Sequence, residues 1–459
     1  MSAHTPLALL FSPLAAALAL ALPSSSFAQS NADLLAELQA LKARITQLES
    51  AQGGGSAAAA GGVDPAEFNR VRVKTEALED NMEASGFKGL KINGWMDPTY
   101  IHSSSRKSGS INFMNKFDGS QDNAAYAFDN SYFGMAMLDF QKEMDGGTKF
   151  RLTLAPQKGS ASGFNLGSIV HEASVSVPIS GLSTRLIAGQ IPDWSGYEYI
   201  PSTQNKLITH NLLFDFTMPS YYTGAGLEVA SGKWLMKGLV GNLNSNRYGK
   251  ADKSPLLTYR ADYAKGEFSG FGFAGQHGKS GDVRTNLMEV DGYFTRGDWS
   301  LFGQLSAGEY GAGAGKAKWT GASALAAYKI TPRLEAIARL DLIQNKKNGG
   351  GVFGSMPSEE NCPEFIGTGA STGGKCTDGV NGFGSAMMDD TANSGYWMPT
   401  GQGVNRSALS LGLNYQFTSN VSFKAEVRQD RASGAVFAQQ DGSYRRANRT
   451  LGLSTVVSF

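Results

Sequence analysis

From Phe87 to the end, the chain alternates apolar and polar residues strand after strand, and the polar positions carry full charges. In 409–417, Leu409, Leu411, Leu413, Tyr415 and Phe417 share one face, while Ser410, Gly412, Asn414 and Gln416 share the other. Val421, Phe423, Ala425 and Val427 alternate with Ser422, Lys424, Glu426 and Arg428. Leu334, Ala336, Ala338, Leu340 and Leu342 alternate with Glu335, Arg339 and Asp341. Residues i and i+2 of a strand point the same way. A face bearing Glu, Arg, Asp and Lys cannot be the dry core of a sandwich, because a buried charge is costly unless it is paired. It suits the wall of a water-filled lumen, with the apolar face turned to lipid.

Turns support a closed, repeating layout. Short candidates are Asp145-Gly-Gly147, Ser180-Gly181, Ser231-Gly-Lys233, Lys265-Gly266, Gly297-Asp298, Thr331-Pro332 and Thr418-Ser-Asn420. Longer polar segments lie between them, near 103–124, 157–167, 192–221, 243–254, 279–285, 309–318, 346–404 and 432–445. These connect about sixteen strands, enough to leave an aqueous channel. The strands at 184–191 and 319–330 alternate poorly. A mean hydropathy of −0.23 does not oppose a membrane reading, since only alternate residues meet lipid. The expected fold class is all-β and transmembrane, an antiparallel β-barrel of about sixteen strands over 87–459, preceded by a short α-helical coiled coil. The formal net charge of +1 offers no basic footprint for nucleic acid.

The N-terminal region divides into four parts. Residues 1–28 read as a signal peptide: Leu7–Leu22 is an apolar run, and Ser26-Phe-Ala28 is a small-x-small site cleaved after Ala28. Its first residues lack Lys and Arg, so either the free amine and His4 supply the charge or the true start lies upstream. In 29–52, Leu34, Leu38, Leu41, Ile45 and Leu48 form an a/d seam. Glu37 would face Lys42 of a parallel neighbour, and Arg44 would face Glu49. A Gly/Ala-rich linker occupies 53–63, and a second coiled-coil helix is expected over 64–86, with Phe68, Val71, Thr75, Leu78 and Met82 on its seam. Leu and Ile at these positions permit trimers. Cys362 and Cys376 are expected to pair, since export leads to an oxidising compartment. The bridge would close a loop of roughly 15 residues, worth about 3 kcal/mol in the chain-entropy treatment.

The signal peptide, the strand–turn–strand–loop repeat over 87–459 and the closing stretch RTLGLSTVVSF together resemble the outer-membrane porins of Gram-negative bacteria. The coiled-coil extension is similar to that of sugar porins and of some proteobacterial porins. The resemblance implies a homotrimer in outer-membrane lipid that passes small hydrophilic solutes. It also implies that Phe459, a terminal aromatic after alternating apolar residues, is read by the barrel-assembly machinery. In sixteen-stranded porins the third long loop folds into the lumen. Here that loop is 191–222, where Asp193, Glu198, Lys206, His210 and Asp215 would place charge at a constriction. Trp194, Tyr197, Tyr199, Phe214 and Phe216 would offer faces to sugar rings. The loop lacks the Pro-Glu-Phe-Gly-Gly motif of the general porins. The alternative for this segment is an outer loop over the rim or at a trimer contact.

Nothing points to covalent chemistry. His4, His102, His171, His210 and His277 are scattered, with no metal-ligand spacing, and no nucleophile elbow or phosphate-binding loop is present. His171 and Ser174 make a poor pair, since i and i+3 on a strand face opposite ways. No catalytic residue, metal or cofactor is expected. Lys91, Arg151, Glu228, Arg260, Asp262, Glu335, Arg339, Asp341, Lys424, Glu426 and Arg428 are the expected lumen residues, and their mixed signs suggest weak ion selectivity. The expectation is a passive diffusion channel and not an enzyme. The alternatives are a carbohydrate-preferring porin, or a plugged surface barrel acting as an adhesin, for which 346–404 is long enough to fill a lumen.

Overall fold

In the computed structural model the described residues are 39, 43 and 65–459, less 85, 106, 115–132, 156–168, 220, 244–254, 267, 281–282, 313–314, 348–385, 389–396, 400–404, 434–436 and 439–443. The expected signal peptide with Ala28, nearly all of the first coiled-coil segment, and Cys362 and Cys376 lie outside them. The chain forms two units, 1–88 and 89–459. Most of the described part of the first is helix α1, Pro65–Ala84. Proline opens it where a helix has no use for the missing N–H. Thr75 Oγ1 donates to the Val71 carbonyl at 2.9 Å, and Arg72 lies 3.7 Å from Glu76 one turn on.

The second unit is a closed antiparallel barrel of 16 strands. Strand β1 runs in two parts, Leu90–Met96 and Thr99–Ser103, and β2 likewise, Ser108–Asn112 and Ala136–Glu143. Then follow β3 (Lys149–Leu154), β4 (Val170–Ser180), β5 (Thr184–Pro192), β6 (Tyr221–Ser231), β7 (Trp234–Leu243) and β8 (Leu256–Gly266). The second half is β9 (Ser269–Ser280), β10 (Val283–Arg296), β11 (Trp299–Ala312), β12 (Gly315–Thr331), β13 (Leu334–Lys347), β14 (Arg406–Gln416), β15 (Val421–Ala432) and β16 (Ala447–Ser458). Each strand pairs with the next, and β16 returns to β1 through Trp95↔Ser458 and Thr99↔Ser454. Closure leaves no sheet edge, which is the condition for strands to cross a bilayer. Among the described residues no helix is long and apolar enough to span one.

The break in β1 falls at Asp97-Pro98, because proline cannot donate to a ladder. The Asp97 carboxylate instead accepts the Met135 N–H at 2.6 Å. The first loop is therefore not the 103–124 expected from the sequence. The chain turns at 104–107, pairs again at Ser108–Asn112, and rejoins the wall only at Ala136.

The two faces of the wall sort as the alternation requires. Leu305, Leu340, Leu409, Leu411, Leu413, Phe423, Val427, Leu451 and Leu453 point outward and are exposed. An apolar belt of this extent is untenable in water and natural in lipid. The inward positions hold buried polar residues, among them Glu289, Arg339, Asp341, Glu426, Arg428 and Asp430. Several strands depart from this rule, among them the two that alternate poorly in sequence. β5 turns Ile187 and Ile191 inward, and β12 turns Trp319, Leu325 and Ala327 inward. The reason lies inside the barrel.

Candidate functional site: a loop laid across the lumen

Between β5 and β6 the chain leaves the wall at Pro192 and rejoins it at Tyr221. The intervening segment enters the lumen and follows the inner wall. Its root is an apolar cluster of Trp194 with Ile187, Tyr222, Leu239, Leu243 and Leu256. There the Trp194 carbonyl accepts from Arg260 Nη1 at 2.7 Å, and Tyr222 donates to Asp193 at 2.5 Å. The Gly196 N–H donates to Glu289 of β10 at 2.5 Å. Tyr197 stacks on Phe302 of β11 with ring centroids 5.7 Å apart.

The far end is fastened by charges from β13 and β15. Lys424 Nζ donates to the carbonyls of Ser202 and Asn205, both at 2.6 Å. Glu426 accepts the N–H groups of Ile208 and Thr209, each at 2.8 Å, and the Thr209 hydroxyl at 2.6 Å. Arg428 Nη1 donates to the His210 carbonyl at 2.7 Å. Lys206 pairs with Glu335 at 2.8 Å. Arg339 is the hub. It donates to Glu198 (2.8 Å), to Asp341 (3.1 Å), and to the carbonyls of Thr209 (2.6 Å) and His210 (2.8 Å). Its side chain is 0% exposed. Such a charge survives burial only when nearly every donor finds an acceptor.

Apolar side chains complete the seam. Helix α2, Leu212–Thr217, is capped by the Asn211 side chain, which accepts from the Phe214 N–H at 2.8 Å. It buries Leu212, Leu213 and Phe216 together with Ile208 against Ile101, Leu287, Trp319 and Ile343 of the wall. Leu207 packs on Leu325, Ala327 and Ile337. Two glycines make sockets. A Cβ on Gly412 would sit 2.3 Å from Leu207 Cδ2, and one on Gly321 would sit 2.2 Å from Leu213 Cδ2. The inward apolar residues of β5 and β12 are thus floors for this loop, which is why those strands alternate poorly.

The structure changes what the expected site residues do. Glu335, Arg339, Asp341, Lys424, Glu426 and Arg428 do face inward, but they lie under the loop and hold it rather than lining water. Glu198 and His210 are buried in the seam and Asp193 and Asp215 are half-buried in it, instead of standing open to present charge. Burial pushes the Asp193 carboxyl up to about 6 and Asp215 to about 7, and raises Glu198 despite the Arg339 beside it. Burial pushes His210 down to about 3, so its imidazole stays neutral, with Nε2 2.8 Å from the Tyr199 carbonyl. Trp194, Phe214 and Phe216 are loop core rather than free faces; Tyr199 is the ring left open, at 45% exposure. The signal that could have located the seam was the set of apolar and glycine residues on the polar face: Gly321, Leu325, Ala327, Ile337 and Gly412.

Two of the open spaces are lined by described residues. One, of about 530 Å³, lies along β1–β7 and is lined by Lys91, Arg151, Glu172, Arg185, Glu228 and Lys237, among others. The other, of about 360 Å³, lies beneath the loop root and is lined by Tyr197, Tyr199, Arg260, Asp262, Asp291, Tyr293 and Phe302, among others. Of the expected lumen residues, Lys91, Arg151 and Glu228 border the first, and Arg260 and Asp262 the second.

The family model described as "Putative beta-barrel porin-2, OmpL-like" matches residues 89–459. No curated protein matches the chain. Among solved structures, the loop L8 deletion mutant of OmpT from Vibrio cholerae is similar at TM-score 0.49 and 11% identity, covering 81% of this chain and 99% of that one. The anion-selective porin from Comamonas acidovorans gives 0.47 and 13%, covering 81% and 99%. The outer membrane channel DcaP of Acinetobacter baumannii gives 0.46 and 12%, covering 81% and 97%.

Proposed function

The chain belongs to the OmpL-like β-barrel porin family, and from that premise we propose that it is a passive channel of the Gram-negative outer membrane, narrowed by its inward loop. It carries out no covalent reaction. Small hydrophilic solutes pass down their gradients, and bore and lining charge select among them. The observation that carries this reading is the open chamber beside the loop along β1–β7, lined by charged side chains. A plugged barrel would have no use for charged side chains open to that space. The N-terminal heptads support a trimer whose barrels are joined by a parallel coiled coil, reached after export with a cleaved signal peptide. Phe459 would be the residue read by the barrel-assembly machinery.

A second reading has its own support. The smaller chamber combines ring faces with hydrogen-bonding groups, as a sugar site does. Tyr293 lies over Gly270, whose absent Cβ would sit 2.8 Å from the ring. Arg260 and Asp262, paired at 2.7 Å, lie across Gly272 in the same way. A carbohydrate preference would use this shelf together with Tyr199.

Liposomes carrying the purified, folded protein are expected to swell in isotonic solutions of small sugars and amino acids, and to stay shrunken in large dextrans. Folded protein that admits none of the small solutes would overturn the channel reading.

A further inference from the structure

We propose that the chamber along β1–β7 is a binding site for small oxyanions bearing two or more charges, the chemistry shared by polycarboxylates and phosphate esters, and that it gives the channel an anion preference. The proposal rests on the reading of the barrel as a channel but concerns what that channel selects. Counted over the whole chain, acid and base nearly cancel, with 41 Lys and Arg against 40 Asp and Glu. The chamber along β1–β7 departs from that balance, with Lys91, Lys142, Lys149, Arg151, Arg185 and Lys237 against Glu143, Glu172 and Glu228 in its lining. On β10, β13 and β15 acids and bases alike are spent on the loop: Glu289 on Gly196, Glu335 on Lys206, Glu426 on Ile208 and Thr209, Lys424 on Ser202 and Asn205, and Arg339 and Arg428 on His210. They take no part in the open lining.

On the opposite wall the charges are sorted by depth. The cationic side chains stand in the open, Arg151 at 44% and Lys149 at 56% exposure. The partners of Arg151, Asp139 and Glu172, are recessed, at 11% and 8%, whereas Lys149 pairs with Glu143. Glu143, at 57%, is the one carboxylate of this group equally open. Lys237 and Glu228 are matched, at 28% and 26%, and 3.3 Å apart. Two cations have no carboxylate bond among the described residues. Lys91 is exposed on β1. Arg185 is buried to 7% exposure and is fixed only by neutral acceptors: Ser176 Oγ (2.6 Å), the Ser176 carbonyl (2.9 Å) and the Gly147 carbonyl (2.7 Å).

A guanidinium held this way keeps its whole charge, and its Nη1 makes no hydrogen bond to the described residues. A buried cation without a counter-ion is costly unless an anion visits it. Register brings the groups together: Lys91 is opposite Gln141, and Gln141 is opposite Arg151. Two strand spacings separate Lys91 from Arg151, roughly 10 Å at their Cα atoms. Side chains of that length can converge on one polyvalent anion but gain little from a monovalent one. Walls of low dielectric around the chamber focus this field.

Binding of citrate to the detergent-solubilised native protein, followed by titration calorimetry at low salt, decides the site whether or not the protein conducts. We expect saturable binding that weakens at least tenfold in Lys91→Gln and in the double variant Lys91→Gln/Lys237→Gln, and that fades as salt rises. Planar-bilayer reversal potentials in a potassium chloride gradient should then favour chloride, and citrate should reduce the chloride current. Absent citrate binding, or equal binding by the double variant, overturns the site. A conducting protein that favours potassium overturns the preference while leaving the channel reading intact.

Discussion

Replacing Arg339 by Leu is expected to release the loop from the wall. The guanidinium serves Glu198, Asp341, Thr209 and His210 at once, at zero exposure. Removing it takes the bonded cation from Glu198 and Asp341 and a donor from the Thr209 carbonyl in a dry seam. Breaking one partner out of a buried ionic network costs about 3–5 kcal/mol. The barrel ladders do not depend on this residue, so the loss falls on the loop. Hydrogen exchange at the Ile208 and Thr209 amides, held now by Glu426, should accelerate by orders of magnitude. Single-channel conductance should rise as the obstruction leaves. Arg339→Lys should fall between, since an ammonium restores charge but not the fork of donors. Unchanged exchange in Arg339→Leu would show that apolar packing alone seats the loop.

Trp194→Ala and Tyr199→Ala should part company, although both rings belong to the same segment. Trp194 is the buried root, packed on Tyr222 with centroids 5.4 Å apart. Truncating a buried Trp costs about 3–5 kcal/mol through lost burial and the cavity left behind. The variant should loosen the loop from its base and lower the thermal stability of the folded protein. Tyr199 is 45% exposed, and its anchoring bonds are made by its backbone, to Asn205 and His210. Its replacement should change stability by less than about 0.5 kcal/mol. If the smaller chamber takes sugar rings, Tyr199→Ala should nonetheless weaken the reduction of current by added oligosaccharide. Native-like sugar block in Tyr199→Ala would remove the carbohydrate reading, and a native melting point for Trp194→Ala would contradict the buried-root assignment.

Much of the fold was legible because β-barrels write their periodicity directly: one residue to lipid, the next to the lumen. The turns at 145–147, 297–298 and 418–420, and the faces of β13, β14 and β15, follow from that rule. The loop was harder to read. Its charges look like pore charges, yet Glu198, His210 and Asp215 meet the wall instead of water. Sequence shows that Arg339 and Glu426 face inward, but not what crosses the lumen to meet them. The information lay in the exceptions to the alternation. Leu325, Ala327 and Ile337 are apolar on a face that should be wet, and Gly321 and Gly412 leave holes there that Leu213 and Leu207 fill. The interruption at Pro98 was visible in principle, since a proline does not belong in a continuous central strand.

The pore is proposed to be water-filled and to be narrowed, but not sealed, by the loop between β5 and β6. Single-channel recording of the purified native protein in a planar bilayer tests it most directly. Discrete open steps in potassium chloride are predicted, arriving in groups of three, each smaller than the steps of Arg339→Leu. A correctly folded barrel that inserts and passes no current would contradict the claim, and would make the loop a plug and the protein a surface barrel.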